Sequence, residues 1–181
     1  EAGKLKSIVV TGCLAERYQT EIRKELPEVD AVLGIGANKD IALALKEALE
    51  GHKKELFASK YDLSLSGERV LSTPKFYAYL KISDGCDNCC TYCAIPLIRG
   101  RFRSRTMEDI VAEAEQLVAN GVKELIVIAQ DTTRYGEDIY GKLMLPELLC
   151  RLCKIEGAHW IRLLYCYPNR ITDELIEVIA T

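Results

Sequence analysis

The chain has 181 residues, of which 49% are hydrophobic and 28% charged, and its 24 Lys and Arg against 27 Asp and Glu give a formal net charge of -3. That composition belongs to a globular chain of one domain, or one and a piece of another, and its slight acidity excludes binding of polyanions by a global basic field. The longest apolar runs, such as Leu125–Ala129, fall far short of the roughly 20 residues of a membrane span, so no membrane partner is expected.

No signal peptide or lipidation motif is read at the start, which fits a cytoplasmic protein. The chain starts at Glu1 rather than Met and stops at Thr181 inside a predicted helix, so an excised fragment is expected. In chain order, Ser7–Thr11 is a short β-branched run that predicts a strand, with a turn at Gly12 and Cys13. Leu14, Tyr18, Ile22 and Leu26 then recur on one face of a predicted helix that Pro27 ends. Val29–Ile35 predicts a second strand. Asn38 is expected to cap a helix with Ile41, Ala44, Leu45, Ala48 and Leu49 on its apolar face and Gly51 at its close. The β-α-β-α order predicts a parallel layer. Gly34-Ile35-Gly36 hints at a phosphate turn, but Lys39 stands where a third glycine is needed, so an ordinary strand-to-helix turn is expected.

Periodicity fades over 51–75, where Lys53, Lys54, Ser59, Ser64, Ser66, Gly67, Ser72 and Pro74 collect; this predicts a connector with at most a short strand. The expected division is a first α/β piece over 1–60, a linker over 61–75 and a second α/β piece over 76–181. In the second piece Phe76–Ile82 alternates as a strand and leads into a cysteine-rich loop over 84–104. Thr106 and Asp109 form a capping box, with Glu108 also in the first turn of the helix they open. Its apolar face is Ile110, Val111, Ala114, Leu117 and Val118, and Asn120-Gly121 stops it. Glu124–Ala129 predicts a strand buried on both faces, and a polar loop over Gln130–Lys142 follows. A helix with Leu145, Leu148, Leu149 and Leu152 aligned, a strand over Trp160–Tyr165 and a helix begun by Thr172 complete the pattern. Three such strand–loop–helix units begin a (β/α) barrel and are too few to close one.

Cysteine is the anomaly. Four of the eight cysteines, Cys86, Cys89, Cys90 and Cys93, sit too close together to staple distant segments, which points to a metal centre in a reducing compartment rather than a disulfide framework. They follow directly on a strand, where reactive groups gather in α/β folds. Two groupings are open. Cys86-x2-Cys89 with Cys90-x2-Cys93 offers four thiolates for structural zinc, although ligand pairs this close make a tetrahedron awkward. Cys86-x3-Cys90-x2-Cys93 offers three thiolates for three corners of an iron–sulfur cube, with the fourth iron open to a small molecule; Cys89 at that corner would instead give an electron-transfer cluster.

The second spacing, with Tyr92 just before the last cysteine, resembles the motif of radical S-adenosylmethionine (SAM) enzymes. The continuation Ala94-Ile95-Pro96-Leu97-Ile98-Arg99-Gly100-Arg101-Phe102-Arg103-Ser104-Arg105 is similar to the methylthiotransferase family within that superfamily. Lys81-Ile82-Ser83-Asp84-Gly85-Cys86 and Ala129-Gln130-Asp131-Thr132-Thr133-Arg134-Tyr135-Gly136 are similar to its RimO branch, which acts on an aspartate of ribosomal protein S-twelve. The branches acting on tRNA adenosines carry a pattern closer to Gly-Gln-Asn at Ala129-Gln130-Asp131. The resemblance implies the trailing part of an N-terminal parallel α/β methylthiotransferase domain, then the first half of a radical SAM partial (β/α) TIM-like barrel.

It also implies two [4Fe-4S] clusters and SAM as cofactors. Cys86, Cys90 and Cys93 would ligate the SAM-binding cluster, and Cys13 would be one ligand of the second, whose other two cysteines belong upstream. Tyr92 and the backbone of Ala94, Ile95 and Pro96 would lie near the adenosine, and Gln130 and Asp131 would contact the cofactor. The implied partners are ribosomal protein S-twelve, with tRNA as the alternative substrate, and an electron donor such as a flavodoxin or ferredoxin. The implied bond to be broken is an unactivated C–H, which no side-chain base can ionise near neutral pH, so a cofactor has to carry the step.

Arg99, Arg101, Arg103 and Arg105 alternate along the loop with no acid among them. Beside the expected cluster they are candidates for binding the SAM carboxylate or an acidic protein target, against the plainer reading of a solvated loop edge. Cys150, Cys153 and Cys166 are expected to be small packing residues. His52 and His159 have no ligand spacing around them.

Overall fold

The computed structural model of the protein describes residues 3–67 and 69–181; Glu1, Ala2 and Glu68, the last in the predicted connector, lie outside the described residues. The chain forms two compact units, one of the residues up to Ser64 together with Cys89–Gly100, the other of Leu65–Asn88 with Arg101–Thr181.

In the first unit β1 (Val9–Thr11), β2 (Ala31–Leu33) and β3 (Lys54–Leu56) lie side by side in that order, all parallel, with Val9 opposite Ala31 and Ala31 opposite Lys54. Side chains of a strand alternate between faces. Ala31 and Leu33 accordingly pack with Ala37, Ala44 and Ala48, while Val32 packs with Ala15 and Val29 on the other side. Both faces of β2 are covered, which is why its sequence is continuously apolar.

The predicted first helix is two helices, α1 (Cys13–Arg17) and α2 (Gln19–Glu25), parted at Tyr18 with φ -115° and ψ 36°. The Gln19 carboxamide donates to the Glu16 carbonyl at 3.1 Å and so satisfies a helix-end acceptor that continuation of the helix would have used. Asn38 does not cap α3 (Ile41–Leu49). A 3-10 turn over Ile35–Asp40 precedes that helix, and the Asn38 carboxamide oxygen accepts from the Thr11 hydroxyl at 2.7 Å. Close approach imposes this path: a Cβ on Gly36 would meet the Ser59 carbonyl oxygen at 2.1 Å. The Ile35 amide of the same turn donates to the Glu16 carboxylate at 3.0 Å, so an acid already sits where a phosphate would be held. Of the expected apolar face of α3, Ala44 and Ala48 are buried while Ile41, Leu45 and Leu49 are exposed, because the shallow sheet beneath covers only the small residues.

In the second unit the strands are β4 (Tyr77–Lys81), β5 (Ser83–Asp84), β6 (Arg103–Ser104), β7 (Glu124–Ile128) and β8 (Trp160–Leu163). β4, β7 and β8 form a parallel sheet in that order, Tyr77 opposite Glu124 and Glu124 opposite Trp160; β5 and β6 pair antiparallel. Ala78, Leu80, Ile82, Leu125, Val127 and Ala129 point to one face, where Ile110, Ala114, Leu117, Leu145, Leu148 and Leu152 cover them. These helical residues belong to α5 (Met107–Ala119) and α7 (Leu145–Cys153). Each fully buried leucine contributes about 1.5–3 kcal/mol by removal from water, which makes this face the main stabilising feature of the unit.

The Asp109 amide donates to the Thr106 hydroxyl at 3.3 Å, as the capping pattern predicts. Two further short helices are α6 (Glu137–Tyr140) and, after β8, α8 (Asp173–Ala180). The Thr172 hydroxyl accepts from the Leu175 amide at 3.2 Å to cap α8. In the segment 130–142, expected as a polar loop, Asp131, Thr132, Thr133 and Tyr135 are buried, and α6 forms within it. Asp131, Thr132 and Thr133 bond within the fold, whereas the buried Gln130 Oε1 and Tyr135 Oη atoms find no hydrogen-bond partner. Cys150 and Cys153 are exposed rather than packed, since Leu145, Leu148, Leu149 and Leu152 take the inner face of α7 and these two point away from it. Among the described residues no helix is long and apolar enough to cross a membrane.

Candidate functional site

The carboxyl end of β4 runs through Ile82 into β5, and Gly85 turns the chain toward Cys86 with a φ of 74° that disfavours side chains. The Ile82 amide still donates to Ile128 of β7 at 3.0 Å, which extends the parallel pairing into this turn. Asp84 is fully buried, with the Lys81 ammonium at 2.5 Å from one oxygen and the Arg103 guanidinium at 3.2 Å from the other. A buried carboxylate is tolerated only with such partners.

Cys86, Asp87 and Asn88 each have an anchor. Cys86 is buried, and its Sγ accepts from the Asn88 amide at 3.5 Å. Asp87 accepts from the Phe102 amide at 3.1 Å and lies 3.4 Å from Arg134 and 3.5 Å from Arg101. The Asn88 carboxamide donates to Asp131 Oδ2 at 2.9 Å and accepts from Arg170 Nη1 at 3.1 Å. Asp131, only 1% exposed, receives the Thr133 amide at 3.1 Å and the Thr133 hydroxyl at 2.6 Å on its other oxygen, and Arg170 stands 3.5 Å from Oδ2. By contrast, the Gln130 Oε1 and Ser83 Oγ atoms are buried with no hydrogen-bond partner.

The other arm of the loop belongs to the first unit. Cys89 is exposed and adopts a φ of 50°, a left-handed conformation that costs a β-carbon-bearing residue of order 1 kcal/mol. The Cys93 amide donates to the Cys90 carbonyl at 2.9 Å, and the Ile95 amide to Cys93 Sγ at 3.5 Å. Ala94 precedes α4 (Ile95–Arg99), with Pro96 in its first turn, where a missing amide hydrogen costs nothing. Tyr92 is 91% exposed. Arg99 Nη2 donates to Cys13 Sγ at 3.3 Å, and Lys60 donates to the Leu97 carbonyl at 2.5 Å.

The four arginines thus have different surroundings. Arg105 donates to the Lys81 carbonyl at 2.8 Å and to Glu113 at 2.5 Å with its side chain 4% exposed. Arg103 lies against Asp84 and Arg99 against Cys13, while the Arg101 side chain is 81% exposed. Asn88, Arg134, Thr133 and Arg170 were not singled out by the sequence. Asn88, inside the cysteine spacing, offered a signal; Arg170, 82 residues away, offered none.

Thiolates are the ligands that iron–sulfur clusters take, one at each iron, and among the described residues no group of three His, Cys, Asp or Glu is placed to hold a single metal ion. Backbone amides donating to the Cys86 and Cys93 sulfurs are the kind of bond that stabilises a cluster's charge.

A family profile described as the Radical SAM superfamily matches residues 80–181. The ribosomal protein uS12 methylthiotransferase RimO of Clostridium tetani is 54% identical over 176 residues, covering 97% of this chain and 40% of that protein. The protein of the same name from Desulforamulus reducens is 53% identical over 182 residues, covering 99% and 41%. Among solved structures, the radical SAM methyltransferase TsrM of Kitasatospora setae, with tryptophan substrate and a SAM analogue bound, aligns with a TM-score of 0.64 at 13% identity, over 96% of this chain and 39% of that one. At that identity the likeness is one of fold. The chain spans about 40% of the length of the curated relatives it matches.

Proposed function

The chain belongs to the radical SAM superfamily, and from that membership we propose that the protein it forms part of is a methylthiotransferase acting on an aspartate β-carbon of ribosomal protein uS12. The names of the relatives at 53–54% identity support the choice of reaction and substrate. The single observation that carries the reading is the Cys86-x3-Cys90-x2-Cys93 spacing immediately beyond a strand of a parallel sheet, where α/β folds place their chemistry.

Cys86, Cys90 and Cys93 would hold a [4Fe-4S] cluster, and SAM would bind at its open iron; Cys13 would supply one ligand to a second cluster. When bound, these groups supply the one-electron chemistry needed to break an unactivated C–H bond. The chain's own contribution is placement and exclusion of water. Gln130 offers an unsatisfied acceptor beyond the end of β7, suited to a donor group of SAM. Exposed Tyr92 and the Ala94, Ile95 and Pro96 backbone would lie against the adenosine. Arg101, the most exposed of the four arginines although it too reaches Asp87 at 3.5 Å, is the one best placed to meet an acidic protein target. An external reductant of the flavodoxin or ferredoxin kind and a cytoplasmic setting complete the proposal.

The test is anaerobic reconstitution of the full-length protein with iron and sulfide, followed by assay with SAM, reductant and either uS12 or tRNA. Reductant-dependent SAM cleavage with a methylthio group on uS12 is expected. Stoichiometric zinc without iron, an EPR spectrum indifferent to SAM, or modification of tRNA alone would each overturn it.

A further inference from the structure

Asp131 was expected from the sequence to contact the cofactor, yet its carboxylate is already engaged. One oxygen takes two donors from Thr133, and the other takes the Asn88 carboxamide with the Arg170 guanidinium beside it. Arg170 also donates to Asn88, so Asn88, Asp131 and Arg170 close a three-membered polar ring between segments 43 and 82 residues apart in sequence. Asn88 connects that ring to the cysteine loop, because its own backbone amide donates to Cys86 Sγ. Asp131 is buried and Arg170 is 24% exposed, and members of a closed polar ring hold one another more tightly than any one bond.

We propose that Asp131 and Arg170 are positioning residues which act through Asn88 to fix the Gly85–Asn88 arm, and with it the Cys86 sulfur, before any cluster is present. Gln130, with its free acceptor, takes the cofactor-facing role at the end of β7, and Asp131 points into the ring. Arg170 lies in the 3-10 turn Pro168–Arg170 beyond β8, so the order of the Cys86 arm depends on three strand ends and not on its own strand alone. This assignment rests on the cluster reading for its consequence but not for its geometry.

The experiment uses the full-length protein, first without metal. Hydrogen exchange of the backbone amides at residues 86–88 is measured in the parent and in Asn88→Ala, Asp131→Asn, Arg170→Gln, Arg170→Lys and the Asn88→Ala/Arg170→Gln double variant. Loss of one member is expected to speed exchange there about tenfold while amides of α5 and α7 keep their protection. Arg170→Lys is expected to restore part of the protection, and the double variant to be no faster than the worse single one. After reconstitution, the Arg170→Gln cluster is expected to show a broadened EPR signal. Additive effects of Asn88→Ala and Arg170→Gln, or unchanged exchange at 86–88 in Asp131→Asn together with weakened SAM binding, would overturn the assignment. Loss of iron uptake by the parent protein would instead strike the cluster reading and leave the exchange result standing.

Discussion

Arg105 and Glu113 meet at 2.5 Å with the arginine side chain only 4% exposed, although Arg105 ends a run of alternating arginines that reads in sequence as a charged loop edge. The Lys81 and Asp109 carbonyls accept further donors of the same guanidinium, which ties the end of β4 to the first turns of α5. Glu113 also pairs with Arg69 at 3.0 Å, so removing Arg105 mainly takes the donor away from two backbone carbonyls. Arg105→Ala is therefore expected to cost about 1–3 kcal/mol in urea denaturation. Arg101→Ala, at the exposed position, is expected to stay within about 0.5 kcal/mol of the parent. Equal losses in the two variants would refute this division of the run.

The cysteines of the loop divide by conformation as well as spacing. Replacing Cys86, Cys90 or Cys93 by Ala is expected to abolish the brown colour of the reconstituted full-length protein. Cys89 is exposed and left-handed, so Cys89→Gly relieves its backbone and is expected to keep full iron content. Iron and sulfide analysis decides: a colourless Cys89→Gly sample would make Cys89 a ligand.

Gly36 has no room for a side chain, since a Cβ would sit 2.1 Å from the Ser59 carbonyl oxygen. The contact is backbone and cannot rotate away, so Gly36→Ala is expected to destabilise by about 1–3 kcal/mol through displacement of the Ser59 segment. Gly51→Ala, where the φ is 84° but nothing stands within 4 Å, tests the conformational cost alone. It is expected to be the milder change in thermal denaturation.

Asp30 is held below the ordinary carboxylate range chiefly by the Ile8 amide, which donates to it at 2.9 Å. A depressed native value means that the unfolded chain binds the proton more readily. The contribution is therefore complete above the unfolded value of about 3.9 and is lost as pH falls through the native one. Asp30→Asn is expected to flatten the acid limb of the stability curve below about pH 4; an unchanged limb would remove Asp30 from that role.

Thr106 caps the longest helix of the barrel unit with a 3.3 Å bond to the Asp109 amide. Thr106→Ala is expected to cost about 1 kcal/mol, with Thr106→Ser close to the parent. Chemical denaturation of the three forms checks the ranking.

Much of this organisation was legible in sequence because its cause is local. β-Branched runs, the Leu145 to Leu152 stripe, the threonine caps and the cysteine spacing each act over a few residues, and the parallel strands and their helices formed where those signals stood. The break at Tyr18 accompanies a local bond from the Gln19 carboxamide to the Glu16 carbonyl, whereas the 3-10 turn before α3 follows from the close approach of Ser59 and the exposure of Cys150 and Cys153 from the face that α7 turns inward. The inward turn of Arg105, the saturation of Asp131 and the arrival of Arg170 at Asn88 were decided only by tertiary structure. Periodicity states which face is apolar, but the partner of a buried charge or amide is fixed by whichever distant strand end packs beside it, and that pairing leaves no local mark in the chain.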